Sequence, residues 1–165
     1  MGRLAILALR AVIALMFAGL VVVQGMIIPA IYRDLDGADA EVAHLQWPVV
    51  IVLFLGVLAV QVALVCIWQL LTMVRRDTVF SSAAFRYVDV IIGTAVAATV
   101  LAMVLSFALA PGEAVAPGIV LLIVIGGMGT AGIALLVLVL RILLAKAVAL
   151  DSTATTLRAE LDEVI

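Results

Sequence analysis

Four long apolar stretches, separated by short polar segments, fill most of the 165-residue chain. They cover residues 11–31, 48–74, 88–109 and 119–140. Each is about as long as the ~20 mostly apolar residues that a helix needs to cross a bilayer. Only helices and closed barrels satisfy their backbone hydrogen bonds in lipid, and these unbroken apolar runs lack the alternation of barrel strands. The sequence therefore predicts an all-α, polytopic membrane protein with four transmembrane helices.

Composition excludes a soluble fold. Hydrophobic residues make up 68% of the chain and charged residues 12%, whereas soluble domains carry about 25% charged residues. The length suits one membrane domain over residues 1–165. The net charge of −2 argues against direct binding of nucleic acid, because that function needs a basic surface.

The basic residues are sorted by side of the four-span arrangement. One side holds eight of the nine, namely Arg3, Arg10, Arg75, Arg76, Arg86, Arg141, Lys146 and Arg158, and the other side holds Arg33. Loops rich in Lys and Arg stay in the cytoplasm. We therefore expect an up-down bundle in the plasma membrane with both termini in the cytoplasm. The first apolar run exceeds the ~7–15 residues of a signal peptide, so we expect it to be a retained span.

The connection over residues 32–46 is acidic and holds Asp34, Asp36, Asp39 and Glu41. Its spacing does not match an EF-hand loop, and His44 is the only histidine available for a zinc site. We expect a solvated connector, with a cation site as the alternative. No metal site, cofactor site or catalytic residue is predicted, so we expect a protein that is not an enzyme.

The connection between the second and third spans is the candidate partner-binding loop. Its candidate residues are Arg75, Arg76, Phe80, Ser81 and Arg86. Ser81 is a good N-cap, since its hydroxyl can accept from unpaired backbone N–H groups of the first turn. The third helix is therefore predicted to begin at about Ser82.

Four polar residues within or at the edge of the spans are candidate intramembrane contacts: Gln24, Gln61, Gln69 and Asp89. Side-chain amides in lipid usually hydrogen-bond between helices. Asp89 lies three residues after Arg86, so the two can pair on one helix face. These residues are expected to hold helices together; an ionisable residue such as Asp89 is also a functional-site hypothesis.

The fourth span contains a glycine-rich segment. Residues 127–132 match the dinucleotide-binding pattern G-x-G-x-x-G, but no strand precedes them, so cofactor binding is rejected. Small residues four apart let a second helix approach closely. The candidate packing residues are Gly126, Gly127, Gly129, Thr130 and Ala131, with the partner helix either in the same chain or in a homo-oligomer.

The central connection resembles that of a bacterial family of small four-helix membrane proteins of unknown function. The resemblance rests on Phe80, Ser81, Arg86, Gly93 and the four-span layout, although the family's usual Gly, Pro and Asn are replaced by Asp77, Val79 and Ala84. Members of that family are often encoded beside a small Xre-type helix-turn-helix regulator. The resemblance implies a bacterial plasma membrane protein with a transcription factor as a possible partner, and it supplies no catalytic residue.

The tail over residues 141–165 becomes polar and acidic after Lys146, with Leu157, Leu161 and either Val164 or Ile165 at helical spacing. It is expected to be either a frayed end or a docking segment for a cytoplasmic partner. Two functions follow as hypotheses. The first is a regulatory or accessory protein that binds such a partner, and the alternative is an oligomeric small transporter or channel subunit.

Overall fold

The computed structural model describes residues 2–36, 46–75, 82–110 and 116–164. Apart from residues 110 and 116, these ranges are helical and contain no strand. Helix α1 (Gly2–Val22) continues through a π-helical turn (Val23–Ile27) into α2 (Ile28–Asp36). It is followed by α3 (Gln46–Arg75), α4 (Ser82–Leu109) and α5 (Pro117–Val164).

Four segments of these helices are long and apolar enough to cross a membrane, as the sequence predicted. They are Ile6–Asp34, Trp47–Val74, Ala83–Leu109 and Pro117–Arg158. Helix α4 begins at Ser82, where the N-cap pattern placed its start. Helix α5 has 48 residues, or about 72 Å at 1.5 Å per residue. The fourth span and the polar tail are therefore one continuous helix.

Consecutive spans pack antiparallel to one another. Leu105 and Leu109, near the end of α4, contact Val49 and Val52 at the start of α3 as well as Val120 and Ile123 at the start of α5. The α3–α4 and α4–α5 contacts are extensive, while α1 and α2 pack more sparsely on α3. The result is the expected all-α, up-down arrangement, with α3 and α4 at its centre.

Much of the apolar surface is exposed. The accessible surface is 11321 Å², compared with about 7,800 Å² for a compact soluble monomer of the same mass. Large apolar side chains such as Leu15, Phe107 and Leu122 are more than two-thirds exposed. This surface suits the acyl chains of a bilayer, because lipid provides no hydrophobic drive to bury it.

The π-helical turn interrupts the first span. The Ile28 N–H donates to the Val23 carbonyl, five residues earlier. Pro29 is the next residue and has no N–H to donate to the Gly25 carbonyl. The regular series of α-helical hydrogen bonds would therefore be interrupted here even without the π-helical turn. Single π turns of this kind are frequent at functional positions. Gln24 lies within this turn.

Helices α4 and α5 approach closely at one of the predicted glycines. A Cβ added to Gly127 would lie 3.0 Å from the Ala102 Cβ and 3.9 Å from the Thr99 carbonyl oxygen. Thr130 faces the same interface, because its Oγ1 lies 2.9 Å from Thr99 Oγ1. By contrast, a Cβ on Gly126 or Gly129 would have no atom within 4 Å, so these two glycines do not face α4.

We expect Gly127→Leu to separate α4 from α5 and to lower the thermal stability of the detergent-solubilised protein. The cost should be about 1–3 kcal/mol or more, as for other overpacked cores. Gly132→Leu is the matched control on α5, since a Cβ there would meet no atom within 4 Å. Fluorescence-detected size-exclusion chromatography after a heating series measures both variants. Equal melting of the two would contradict the packing assigned to Gly127.

Candidate functional site

Two arginine contacts lie at the end of the molecule that holds the start of α1, the end of α3 and the start of α4. We call this the clamp end. The first contact joins α1 to α3: Arg10 Nη2 donates to Thr72 Oγ1 at 2.8 Å, and Thr72 Oγ1 donates to the Trp68 carbonyl at 3.0 Å. The Arg10 guanidinium carbon also lies 5.0 Å from the centroid of the Trp68 ring, within cation–π range. Arg10 thus fixes α1 against α3.

The second arginine contact joins α4 to α5. Arg141 Nη2 donates to Asp89 Oδ2 at 3.0 Å, while Arg141 Nε lies 2.5 Å from Oδ1 but is misaligned for a hydrogen bond. The Arg141 guanidinium carbon lies 6.0 Å from the centroid of the Phe85 ring. From the sequence, Asp89 can pair with Arg86, but in the structure Asp89 pairs with Arg141. Arg141 approaches from another helix, whereas Arg86 lies exposed near the start of α4.

The Asp89–Arg141 pair is partly exposed, with 35% of the Arg141 side chain and 50% of the Asp89 side chain accessible. An exposed ion pair in water contributes little to stability. At a membrane boundary the pairing has a second effect: each charge has a partner of opposite sign, so neither is exposed to lipid alone. The pair therefore links α4 to α5 at this level of the two helices.

A second layer of polar contacts lies deeper in the spans. Gln61 Nε2 donates to Gln24 Oε1 at 3.0 Å and joins the π-helical turn to α3. Gln61 is 7% exposed, and the Gln24 Nε2 group is buried without a hydrogen-bond partner among the described residues. Gln69 is exposed on α3, so the three glutamines do not form one cluster.

The hydroxyl groups of α4 and α5 bond within their own helices. Thr99 Oγ1 donates to the Ala95 carbonyl, and Ser106 Oγ donates to the Ala102 carbonyl. Thr130 Oγ1 donates to the Gly127 carbonyl, so the 2.9 Å contact between the Thr99 and Thr130 hydroxyls links two groups that are already bonded. Each hydroxyl has one proton, so one of the two donates across the interface in place of its bond within its own helix. This contact links α4 to α5 at mid-span, whereas Ser106 bonds within α4.

Grooves between the helices are lined almost entirely by apolar side chains. One groove of about 460 Å³ lies between α4 and α5, and its lining includes Met103, Phe107, Val124 and Met128. Another of about 330 Å³ lies between the helices and contains Gly56. Such linings match acyl chains and offer no charged group to a polar solute.

The candidate partner-binding loop is described only in part. Arg75 is the last residue of α3, and Arg86 is exposed in the second turn of α4. Arg76, Phe80 and Ser81 lie outside the described residues. Arg86 also borders a small groove with Ala83, Tyr87 and Val90. The described part of this loop thus places one free arginine side chain at the clamp end.

The acidic connection between α2 and α3 is also described only in part. Asp34 is exposed near the end of α2. Asp39, Glu41 and His44 lie outside the described residues, and so does the side chain of Asp36. No group of three potential metal ligands occurs in the described ranges.

A family model described as "Protein of unknown function (DUF2975)" matches residues 30–165. The chain belongs to this family. The match covers α3, α4 and α5 completely, and with them the Asp89–Arg141 pair and the Gly127 contact of this DUF2975 member. No curated protein and no solved structure matches the chain.

Exchange of charges tests whether the Asp89–Arg141 pair fixes α4 against α5. Asp89→Arg and Arg141→Asp alone should each lower the melting temperature, because each leaves two like charges at the membrane boundary. The double variant should recover most of the loss if the contact is direct, as in a double-mutant cycle. Additive losses in the double variant would contradict the pairing.

Variants of two glutamines on α3, Gln61 and Gln69, test whether stability depends on the hydrogen bond between helices or only on the presence of a polar side chain. Gln61→Leu should lower stability by roughly 0.6–2 kcal/mol, the range measured for hydrogen bonds between membrane helices. Gln69→Leu is the control, because Gln69 is exposed on the same helix. Unfolding in graded denaturing detergent measures the difference. A loss at Gln69 equal to that at Gln61 would speak against the Gln24–Gln61 contact.

Proposed function

We propose that this protein is a membrane-anchored regulatory or accessory protein that holds a cytoplasmic protein partner at its clamp end. The observation that carries the proposal is the continuation of α5 beyond residue 140, where the fourth apolar run of the sequence ends. All side chains described from residue 149 to residue 158 are exposed, so this part of the helix is available to another molecule.

The sorting of basic residues supports a cytoplasmic clamp end. Arg10 and Arg141 lie there in the structure, together with the exposed Arg86. Because Lys- and Arg-rich loops are retained on the cytoplasmic side, this end and both termini are assigned to the cytoplasm of a bacterial plasma membrane.

The charge of the tail suggests the chemistry of the partner. Residues 149–165 carry Asp151, Glu160, Asp162 and Glu163 against the single basic residue Arg158. An acidic helix of this kind would attract a basic protein and steer its approach. Small DNA-binding regulators are commonly basic, as such a partner would have to be. The resemblance to a family encoded beside such regulators suggests the same class of partner protein.

The use of the intramembrane polar groups favours this function over transport. Within the described residues, Gln24 and Gln61 bond to each other, Asp89 pairs with Arg141, and Thr99 contacts Thr130. A permeation pathway commonly needs ionisable or polar groups that face a water-filled cavity. The oligomeric transporter or channel subunit remains the alternative.

Co-purification from native membranes in mild detergent tests the proposed function, with the affinity tag at the N-terminus so that the tail stays free. We expect a small basic DNA-binding protein to be recovered with the wild type and lost at high salt. The triple variant Glu160→Gln/Asp162→Asn/Glu163→Gln should reduce its recovery at least about tenfold if the tail attracts it by charge.

Two further variants separate the possible docking sites. Arg75→Ala/Arg76→Ala/Arg86→Ala tests the candidate loop, and Arg33→Ala is the control on the opposite side of the membrane. Unchanged recovery with both the loop and the tail variants would contradict partner binding at the clamp end. Recovery of the chain alone, together with solute flux in proteoliposomes, would favour the transporter alternative.

A further inference from the structure

Helix α5 extends beyond the helix that packs against it. Ser82, the first residue of α4, lies seven residues before Asp89, and Val148 lies seven residues after its partner Arg141. In this antiparallel pair Ser82 is therefore level with Val148. The last 16 residues of α5, 149–164, extend about 24 Å beyond that level.

One face of the extension carries an apolar stripe with the spacing of a coiled coil. Its members follow one another in alternating steps of four and three residues: Leu143, Ala147, Leu150, Ala154, Leu157, Leu161 and Val164. This is the a/d pattern of a heptad repeat, with alanine or leucine at a and leucine or valine at d. Leu150 is 71% exposed and Leu157 is 54% exposed, so the described part of the same chain leaves them uncovered.

The hydroxyl groups on the other faces of the extension already donate to carbonyls of the same helix. Ser152 and Thr153 donate to the Ala149 carbonyl, Thr155 donates to the Asp151 carbonyl, and Thr156 donates to the Ser152 carbonyl. These hydroxyls occupy heptad positions b, c, f and g and leave the a/d stripe free of polar side chains. An apolar stripe on a helix with polar flanks is stable in water only when it is covered.

We propose that this stripe is covered by the same stripe of a second copy, so that two α5 extensions form a parallel two-stranded coiled coil. Two copies inserted in one membrane with the same topology present their C-terminal helices side by side and pointing the same way. Parallel pairing is therefore the orientation that the bilayer allows, and a C2 axis along the membrane normal relates the two helices.

Charges beside the stripe complement each other in that arrangement. In a parallel coiled coil, the g residue of one helix lies beside the e residue of the following heptad on its partner. Lys146 occupies g and Asp151 occupies the following e, and both are exposed in the single chain. The dimer thus gains two symmetric Lys–Asp pairs. At the next heptad, Thr153 at g faces Arg158 at e, so no like charges meet.

The same stripe continues into the membrane. Ile133, Leu136 and Leu140 occupy the preceding a and d positions, and each is more than half exposed. Gly126 and Gly129 lie one heptad further and have open space in place of a Cβ contact. Small residues on an open face allow a second helix to approach. The second copy can therefore follow α5 from the span into the extension.

A seam of about two heptads with alanine at two a positions would be weak between free peptides. Here the helix is already formed, because it continues from α5, and confinement in the membrane raises the effective concentration of the second copy. The inference does not depend on the proposed function, since a dimeric tail presents its b, c and f faces to any partner.

Disulfide cross-linking in native membranes tests the proposal, in a Cys66→Ser background that removes the native thiol. Leu157→Cys places a thiol at a d position on the seam, and Ser152→Cys places one at f on the outer face. We expect the yield of disulfide-linked dimer to be at least about fivefold higher for Leu157→Cys, because only seam positions come within disulfide reach. Equal yields, or none for either variant, would overturn the coiled coil.

Charge exchange distinguishes this dimer from random collision and from coverage of the stripe by lipid or by another protein. In the Leu157→Cys background, Lys146→Glu and Asp151→Lys should each reduce the dimer yield, and the double variant should restore it. Restoration supports direct pairing between two copies. A double variant as weak as the single variants would overturn the assigned register and with it the proposal.

Discussion

The rest of the structure depends on the requirement that polar groups in an apolar solvent find their partners inside the protein. Among the described residues, several of these groups pair between spans that are neighbours in sequence, whereas the Gln24 Nε2 group is buried without a partner there. Arg10 reaches Thr72 and Trp68, Gln61 donates to Gln24, Thr99 contacts Thr130, and Asp89 pairs with Arg141. Each of the pairs α1–α3 and α4–α5 therefore has one contact at the clamp end and one deeper in the span, with the apolar α3–α4 interface joining the pairs.

This arrangement separates a part that fixes the helices from a part that is open to other molecules. The described polar side chains of the spans bond to one another or to carbonyls of their own helices, and the grooves between helices are lined mainly by apolar side chains. Charged and exposed groups are concentrated where α5 leaves the span and where α4 begins. The proposed functions accordingly lie at the clamp end, where a partner protein and a second copy would meet different faces of the same helix.

Several elements of the fold were predictable because they depend on local composition. The four spans follow from apolar length, and the start of α4 at Ser82 follows from the preceding N-cap pattern. Other features were not, because they depend on which residues of distant segments become neighbours. Asp89 pairs with Arg141 on another helix and not with Arg86, which is nearer in sequence. In the fourth span Gly127 contacts α4, whereas Gly126 and Gly129 do not. The π-helical turn had one visible sign, Pro29 within an apolar run.

The sequence by itself determined that this chain is a four-span helical membrane protein, because hydrophobic length and charge are properties of consecutive residues and the bilayer acts on each segment separately. The tertiary structure decided which helices touch, which polar groups pair and how far α5 extends past its neighbour. Those features depend on the rotation and height of each helix relative to the next, and many arrangements of the same four spans satisfy hydrophobicity equally well. Contacts such as Gln24–Gln61 and Asp89–Arg141 select one of them, because a shift of either helix would leave polar groups unpaired in lipid.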